Sequence, residues 1–281
     1  MSTTRVRCMS RRPISKPSFI PDTVPQEQVF SIEVIGEPDQ GKTHFSATFP
    51  KALFLDTEHK ADIVLRKMPE KGHVWKRVTS WQDIELGVEW ALQQPDIRTI
   101  VIDSGGDIRD LALEEWKRRT GKKSPVAYID GQAVPVLWAQ VYEIIDNVVR
   151  KIQLARKYLV VTCRTKDEYI AHVPTGRKIR DGYKKFPWNL SMAIWIQNGI
   201  TDPKTGKVHF KFYKFGKVIK NNFWGVDVKK GVTYQKPYLF DISYEGICNE
   251  MLKPWGPVKL SEVTETIIKE AEEWLKEKGL L

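Results

Sequence analysis

Residues 36–43 read Gly-Glu-Pro-Asp-Gln-Gly-Lys-Thr, the G-x-x-x-x-G-K-S/T pattern of a phosphate-binding P-loop. The two glycines let the backbone curl until successive N–H groups point inward at a polyphosphate. Lys42 is expected to reach the β- and γ-phosphates, and the Thr43 hydroxyl is expected to ligate Mg²⁺. The following helix adds the positive end of its dipole. The motif therefore predicts ATP and Mg²⁺ as ligands, with these residues around the nucleotide: Gly36, Glu37, Pro38, Asp39, Gln40, Gly41, Lys42, Thr43 and His44.

The segments around this loop argue against a chance match. Residues 29–35 form an apolar run suited to a strand that enters the loop, and residues 43–49 favour a short helix that leaves it. Three further apolar runs, residues 52–56, 99–103 and 158–162, are typical of buried parallel strands, and helical patterns separate them. One of these patterns is an amphipathic helix over residues 81–93, with Ser80 as its expected N-cap. This alternation predicts an α/β fold with a twisted, mostly parallel sheet and helices on both faces.

The chain divides into three expected parts. Residues 1–28 are rich in proline and basic residues and predict a flexible basic arm, either a simple tail or a contact to DNA or another subunit. Residues 29–245 form the expected nucleotide-binding core, which includes an added β-hairpin at residues 191–215 near the C-terminus. Residues 246–281 form a C-terminal segment that ends in an amphipathic helix.

Composition narrows the class of protein. The chain has 281 residues, of which 41% are hydrophobic and 28% charged, as in ordinary globular proteins. No apolar run approaches the ~20 residues of a membrane span, so no membrane partner is expected. Cys8, Cys163 and Cys248 fit neither a disulfide framework nor a zinc site, which favours the cytoplasm, or the host cytoplasm if the chain is viral. The net charge of +10 suggests a polyanionic partner or a lysine-rich surface.

Other strand ends supply candidates for the rest of the catalytic site. Asp103 ends an apolar strand and is the expected second residue for Mg²⁺, with a turn-capping role as the alternative. Many ATPases place a glutamate directly after this aspartate, where this chain has Ser104. Glu58, just beyond a neighbouring strand, is therefore the candidate general base, unless it is a capping or surface acid. Thr162 and Arg164 end another strand and are candidate γ-phosphate sensors or simply a strand end.

A basic segment over residues 164–188 is the candidate DNA-binding site. It carries seven basic and three acidic residues, with aromatic residues between them. Cations for phosphates and aromatic faces for bases are the ingredients of single-strand binding. Pro174, Gly176 and Gly182 favour a loop, and the alternative is a surface loop with some aromatics packed inward. The predicted DNA-binding residues are Lys166, Arg177, Lys178, Arg180, Lys184 and Lys185.

A second basic stretch covers residues 204–230 and contains eight lysines. Several of them alternate with apolar residues, which is typical of the solvent face of a hairpin. The alternative is that one lysine reaches the γ-phosphate of a neighbouring subunit, as an arginine finger does.

Two segments resemble RecA-type recombinases. Residues 53–59 are similar to their strand with the catalytic glutamate, and residues 100–104 are similar to their Asp-Ser strand. The order of segments also matches, and over residues 29–245 the chain most resembles compact phage-type RecA-like ATPases, a group that includes single-strand annealing proteins. The resemblance implies a RecA-like P-loop NTPase core that hydrolyses ATP. It also implies these roles: Lys42 and Thr43 for phosphate and Mg²⁺, Asp103 for Mg²⁺, Glu58 for water activation, and Thr162 and Arg164 in the sensor segment.

These patterns predict an ATP-dependent protein that binds single-stranded DNA in recombination or strand annealing. The expected assembly is a homo-oligomer, either a ring or a filament, with a single-strand-binding or replication protein as a further partner. A nucleotide-bound loader or scaffold for a replication protein is the alternative from a different class, and a P-loop kinase is the third.

Overall fold

The computed structural model describes residues 28–129, 132–135 and 137–281. The predicted basic arm lies outside these ranges except for Gln28. The strands are β1 Ser31–Ile35, β2 Ala52–Asp56, β3 Val74–Arg77, β4 Thr99–Asp103, β5 Ala127–Ile129, β6 Gln132–Val134, β7 Tyr158–Ile170, β8 Val173–Asp181, β9 Met192–Thr201, β10 Val208–Asn221, β11 Val226–Asp227, β12 Val232–Thr233, β13 Tyr238–Leu239 and β14 Val258–Lys259. The α-helices are α1 Lys42–Ala47, α2 Ala61–Leu65, α3 Trp81–Gln93, α4 Ile108–Thr120, α5 Trp138–Leu154, α6 Phe186–Asn189, α7 Tyr244–Gly246 and α8 Val263–Glu277.

The main sheet runs in the order β13-β10-β9-β1-β7-β4-β2-β3, and β8 pairs with the outer part of β7. The six strands from β9 to β3 are mutually parallel, whereas β10 and β13 are antiparallel additions at one edge. The mixed α/β architecture and mostly parallel sheet agree with the P-loop NTPase fold that the sequence predicts. Because β1, β2, β4 and β7 are parallel, their carboxyl ends meet at one edge of the sheet.

Hydrophobic packing covers both faces of this sheet. Every residue of β1, β2 and β4 is buried, as expected for parallel strands between two helical layers. One face packs against α3, α4 and α5. The other packs against α1, α2 and the π-helical turn Ile247–Met251. The layers hold the strand ends rigidly, which fixes the positions of the residues that follow them.

Helix α3 begins where its local sequence predicts. The Ser80 hydroxyl accepts a hydrogen bond of 3.2 Å from the Asp83 amide, and the Asp83 carboxylate accepts one of 3.1 Å from the Ser80 amide. This is a capping box. A hydrogen bond from the Thr79 backbone, followed by the ion pair with Lys76, holds the pKa of Asp83 well below its usual range.

The basic segment over residues 164–188 is not the loop that the sequence predicts. Strand β7 continues out of the sheet to Ile170, turns at Ala171 and His172, and returns as β8. Pro174 is tolerated because β8 is an edge strand, and Gly176, with φ of 73°, lies in an irregularity of the pairing. Proline and glycine therefore mark the edge and the bulge of a hairpin, which we call the β7–β8 hairpin.

Strands β9 and β10 form a second hairpin, in which Val208 pairs with Thr201. Helix α8 packs on it and completes a third hydrophobic cluster: Ile200, Phe215, Tyr238, Phe240, Ile267, Ala271 and Leu275. The C-terminal segment is thus attached to the core by buried apolar contacts. Among the described residues, no helix is long and apolar enough to cross a membrane.

Candidate active site

The P-loop follows β1 and leads directly into α1. Gly41 has a φ of 91°, a conformation that side chains rarely adopt, and the first residue of α1 is Lys42. The Gly36 amide donates to the Cys163 carbonyl at 3.2 Å, which joins the start of the loop to β7. The first amides of a helix have no acceptor inside the helix. The loop therefore presents backbone donors to an anion at the carboxyl edge of the sheet.

Lys42 lies at the mouth of this loop. Its Nζ donates to the Gly36 carbonyl at 2.9 Å and to the Glu37 carbonyl at 2.8 Å, and the residue is 8% exposed. Burial lowers the pKa of the ammonium group, while the charges of Glu58 and Asp103 oppose this shift. The buried Gln40 Oε1 has no hydrogen-bond partner among the described residues. A buried ammonium group at the mouth of a loop of backbone amides fits a polyphosphate, because the phosphate oxygens accept hydrogen bonds from both.

Asp103 joins the P-loop helix to the central strands. The Thr43 hydroxyl donates to its Oδ2 at 2.7 Å, and the Thr162 hydroxyl donates to its Oδ1. Burial raises the pKa of the Asp103 carboxyl, and these two hydrogen bonds oppose the rise. The hydroxyl of Thr43 and the carboxylate of Asp103 are the hard oxygen donors that Mg²⁺ prefers. The residues present therefore fit the predicted magnesium site.

No cluster of three histidine, cysteine or acidic side chains suited to a metal occurs in the described part of the chain. A magnesium site of the P-loop kind does not need such a cluster, because Mg²⁺ usually keeps several waters and is bound through one or two protein ligands plus the substrate phosphates.

Glu58 follows β2 and is fixed to the Asp103 strand through the backbone. The amides of Thr57 and Glu58 donate to the Asp103 carbonyl at 2.7 and 3.4 Å. The Glu58 carboxylate is electrostatically coupled to Lys42 and also lies 2.9 Å from Arg164 Nε. The predicted general base is therefore at the phosphate-binding edge, but its Oε1 is engaged in an ion pair.

The two predicted sensor residues have different surroundings. Thr162 contacts Asp103, whereas Arg164 bridges Glu58 and Asp107, with Nη2 at 2.8 Å from Asp107 Oδ2. Asp107 is a site residue that the sequence reasoning missed. The signal was its position four residues after Asp103, in the turn that begins α4.

The predicted DNA-binding residues are divided between the surface and the interior. Arg180 points inward, 18% exposed, and its Nη1 lies 2.6 Å from Oε1 of Glu33, which is 1% exposed. Arg177 and Lys184 are exposed. The remaining three lysines form surface ion pairs of 2.9 Å each: Lys166 with Asp181, Lys178 with Asp167, and Lys185 with Asp146.

Glu33 is a second residue that the sequence reasoning missed, although an acid within an apolar strand is a visible signal. Burial raises the pKa of its carboxyl, and the Arg180 charge and the hydrogen bond from Cys163 oppose this rise. The Cys163 thiol donates to Glu33 Oε1 at 3.0 Å, and burial raises its pKa well above the usual value. This cluster ties the β7–β8 hairpin to the P-loop strand.

Two further features surround the site. Lys214 on β10 donates to the Asp39 carbonyl at 3.1 Å, so a lysine of the second basic stretch contacts the P-loop of its own chain.

A cavity of about 390 Å³ lies beside Thr57 and Asp107, and its lining contains no P-loop residue. The cavity is therefore separate from the phosphate-binding loop.

The family comparison agrees with this geometry. The family model of the AAA domain matches residues 30–185, more than half of the chain. The matched stretch begins just before β1 and ends beyond β8, so it includes the P-loop, Glu58, Asp103 and the β7–β8 hairpin. A search of curated proteins finds no match. The chain belongs to the AAA domain family, and its core is a P-loop NTPase-type domain.

Proposed function

We propose that the protein is a RecA-type ATPase that binds single-stranded DNA in recombination or strand annealing, with ATP hydrolysis coupled to DNA binding and release. One observation carries the proposal. Strand β7 contributes Thr162 to the Asp103 site and then leaves the core as a basic, exposed hairpin. A single strand of the sheet thus connects the predicted phosphate site to the predicted DNA-binding surface.

The catalytic residues have distinct roles in this proposal. Lys42 binds the β- and γ-phosphates, and Thr43 and Asp103 hold Mg²⁺, which supplies charge neutralisation on the phosphate oxygens when it is bound. Glu58 accepts a proton from the water that attacks the γ-phosphorus. The bond to the bridging oxygen breaks, and the products are ADP and phosphate.

The exposed side chains of the hairpin support a nucleic-acid contact. Arg177 on the hairpin and Lys184, three residues after β8 ends, supply cations, and Tyr169 supplies an exposed ring on which a base can stack. Lys166 and Lys178 also lie on the hairpin, in surface ion pairs that phosphates can replace at small cost. Arg180 is assigned instead to the buried pair with Glu33.

A nucleotide-bound loader or scaffold for a replication protein is the second candidate. Its support is the hairpin tip, where Ile170 and Val173 are exposed. Exposed apolar side chains next to each other are typical of contacts to protein rather than to phosphate. The third candidate, a P-loop kinase, has no comparable support from the described residues.

ATP turnover with and without single-stranded DNA, measured together with particle size, tests the proposal. The proposal predicts stimulation by DNA and larger particles with ATP and DNA, because a ring or filament is expected. An ATP turnover rate that DNA does not change, together with ATP-dependent formation of a complex with a replication protein, would favour the loader. Transfer of phosphate to a product other than water would favour the kinase.

A further inference from the structure

We infer that Arg164 is a positioning residue that restrains Glu58, and that the phosphate backbone of a nucleic acid at the β7–β8 hairpin releases this restraint. The inference rests on the proposed role of Glu58 as the general base. It assigns Arg164 to the control of turnover rather than to sensing of the γ-phosphate.

The first support is the geometry of the Arg164 guanidinium. Its Nε lies 2.9 Å from Glu58 Oε1, and its Nη2 lies 2.8 and 3.0 Å from the two carboxylate oxygens of Asp107. A guanidinium presents its N–H donors in one rigid plane. Two acids that engage different nitrogens therefore fix both the position and the orientation of the group.

The second support is the way Asp107 is held. Its Oδ2 accepts from the Thr57 hydroxyl at 2.8 Å and from the Ser104 hydroxyl at 3.2 Å. The Thr57 hydroxyl in turn accepts from the Ser104 amide at 2.8 Å. Asp107 is thus anchored to the ends of β2 and β4, and it holds Arg164 against Glu58 from a rigid base.

This arrangement competes with catalysis. A general base needs a free oxygen within hydrogen-bond reach of the attacking water. Glu58 Oε1 is occupied by Arg164, so a water that uses this oxygen must displace the guanidinium. The pair is accessible to solvent, since Arg164 is 42% and Glu58 24% exposed, so an incoming anion can reach it.

The third support is the position of Arg164 on the hairpin. It lies directly after the buried part of β7, where the strand leaves the core, and it pairs with Asp181 of β8. The neighbouring Lys166 also contacts Asp181, at 2.9 Å. A phosphodiester bound at the base of the hairpin meets Arg164 and offers oxygens that compete with the Glu58 carboxylate.

Steady-state ATP turnover of Arg164→Ala, with and without single-stranded DNA, tests the inference. We expect the basal kcat to rise about tenfold, the factor that corresponds to one hydrogen bond to a charged group. The KM for ATP should stay within about twofold, because Arg164 contacts the base and not the P-loop. DNA should no longer stimulate the variant. The basal kcat of Arg164→Lys should lie between those of the wild type and Arg164→Ala, since an ammonium group cannot bridge both acids in the same plane.

Arg109→Ala is the matched control. Arg109 lies on α4 and is 46% exposed, and it pairs with its neighbour Asp110 instead of with Glu58. This variant should keep the wild-type basal rate and DNA stimulation, and melting curves should show that all variants fold.

The outcomes separate the inference from the proposed function. A fall in the basal kcat of Arg164→Ala would overturn the inference, because it would make Arg164 an activator. An unchanged rate with unchanged DNA stimulation would overturn it as well. If Glu58→Gln retained full turnover, the proposed general base would fail. If the basal rate rose in Arg164→Ala but DNA had no effect on the wild type, the restraint of Glu58 by Arg164 would stand. The release of that restraint by nucleic acid would then be overturned.

Discussion

The buried pair between Arg180 and Glu33 determines how firmly the hairpin is attached to the P-loop strand. Arg180→Met keeps much of the aliphatic volume and removes the charge. The Glu33 side chain is only 1% exposed, so its carboxylate is then left in the interior without its guanidinium partner. Removing one partner of such a pair costs about 3–5 kcal/mol. Each kcal/mol lowers the melting temperature of a chain of this size by about 2–4 °C. We therefore expect a fall on the order of 10 °C at neutral pH.

The loss of stability in Arg180→Met should depend on pH in a defined direction. Burial raises the pKa of Glu33 in the wild type, and Arg180 opposes that rise. Without Arg180 the folded-state pKa rises further, so the folded protein retains a proton that the unfolded chain releases. Stability of the variant then falls as the pH increases above the unfolded pKa of about 4.3. The deficit relative to the wild type should grow as the pH rises from the folded-state pKa of Glu33 in the wild type to the higher one in the variant, and it can be followed from about pH 5 to about pH 8.

Thermal unfolding followed by circular dichroism across this pH range measures both effects. The double variant Glu33→Gln with Arg180→Met should recover most of the loss, because it removes both charges from the interior. Lys276→Ala, which removes an exposed pair with Glu272 on α8, is the control and should cost at most about 1 kcal/mol. A deficit in Arg180→Met below about 1 kcal/mol, or one that is independent of pH, would refute the assignment of Arg180 to a buried anchor.

Three other variants test the catalytic site and the proposed DNA contact. Glu58→Gln should bind ATP normally and release phosphate about 10²- to 10⁴-fold more slowly than the wild type. The control Glu265→Gln, on the exposed face of α8, should match the wild type. Near-normal turnover in Glu58→Gln would exclude Glu58 as the general base. The double variant Arg177→Ala with Lys184→Ala should bind single-stranded DNA more weakly. The slope of the logarithm of its DNA-binding constant against the logarithm of the salt concentration should be shallower by about 1.4. An unchanged slope would exclude these two cations from the contact. Thr162→Val should weaken Mg²⁺-dependent ATP binding about tenfold, because the hydrogen bond to Asp103 is lost. Thr162→Ser keeps the hydroxyl and should restore the affinity. Wild-type affinity in Thr162→Val would show that this hydrogen bond does not support the site.

The sequence predicts well those features that depend on local signals. Strands β2 and β4 and helix α3 begin and end at the predicted residues, because each is a continuous apolar run or an amphipathic pattern with a clear boundary. Ser80 caps α3 as expected, since its bond to Asp83 spans only three residues. The P-loop and Asp103 also come together as predicted, because parallel strands place their carboxyl ends at one edge.

The features that sequence reasoning missed depend on contacts distant in the chain. Arg180 looks like a surface cation, and only the return of β8 along β7 brings it to Glu33, 147 residues away. Similarly, Lys214 reaches the P-loop because β10 folds back beside β9. Such pairs are set by the order of strands and by register, and neither composition nor spacing encodes them.

The central claim is that the P-loop, through Lys42, binds the triphosphate of ATP. Isothermal titration of ATP with Mg²⁺ into the wild type and into Lys42→Ala tests it most directly, with Lys51→Ala, which removes a surface pair with Asp96, as the control. The account predicts one saturable site in the wild type and in the control, and an affinity at least about 100-fold weaker in Lys42→Ala. Binding of ATP by Lys42→Ala with wild-type affinity would contradict it.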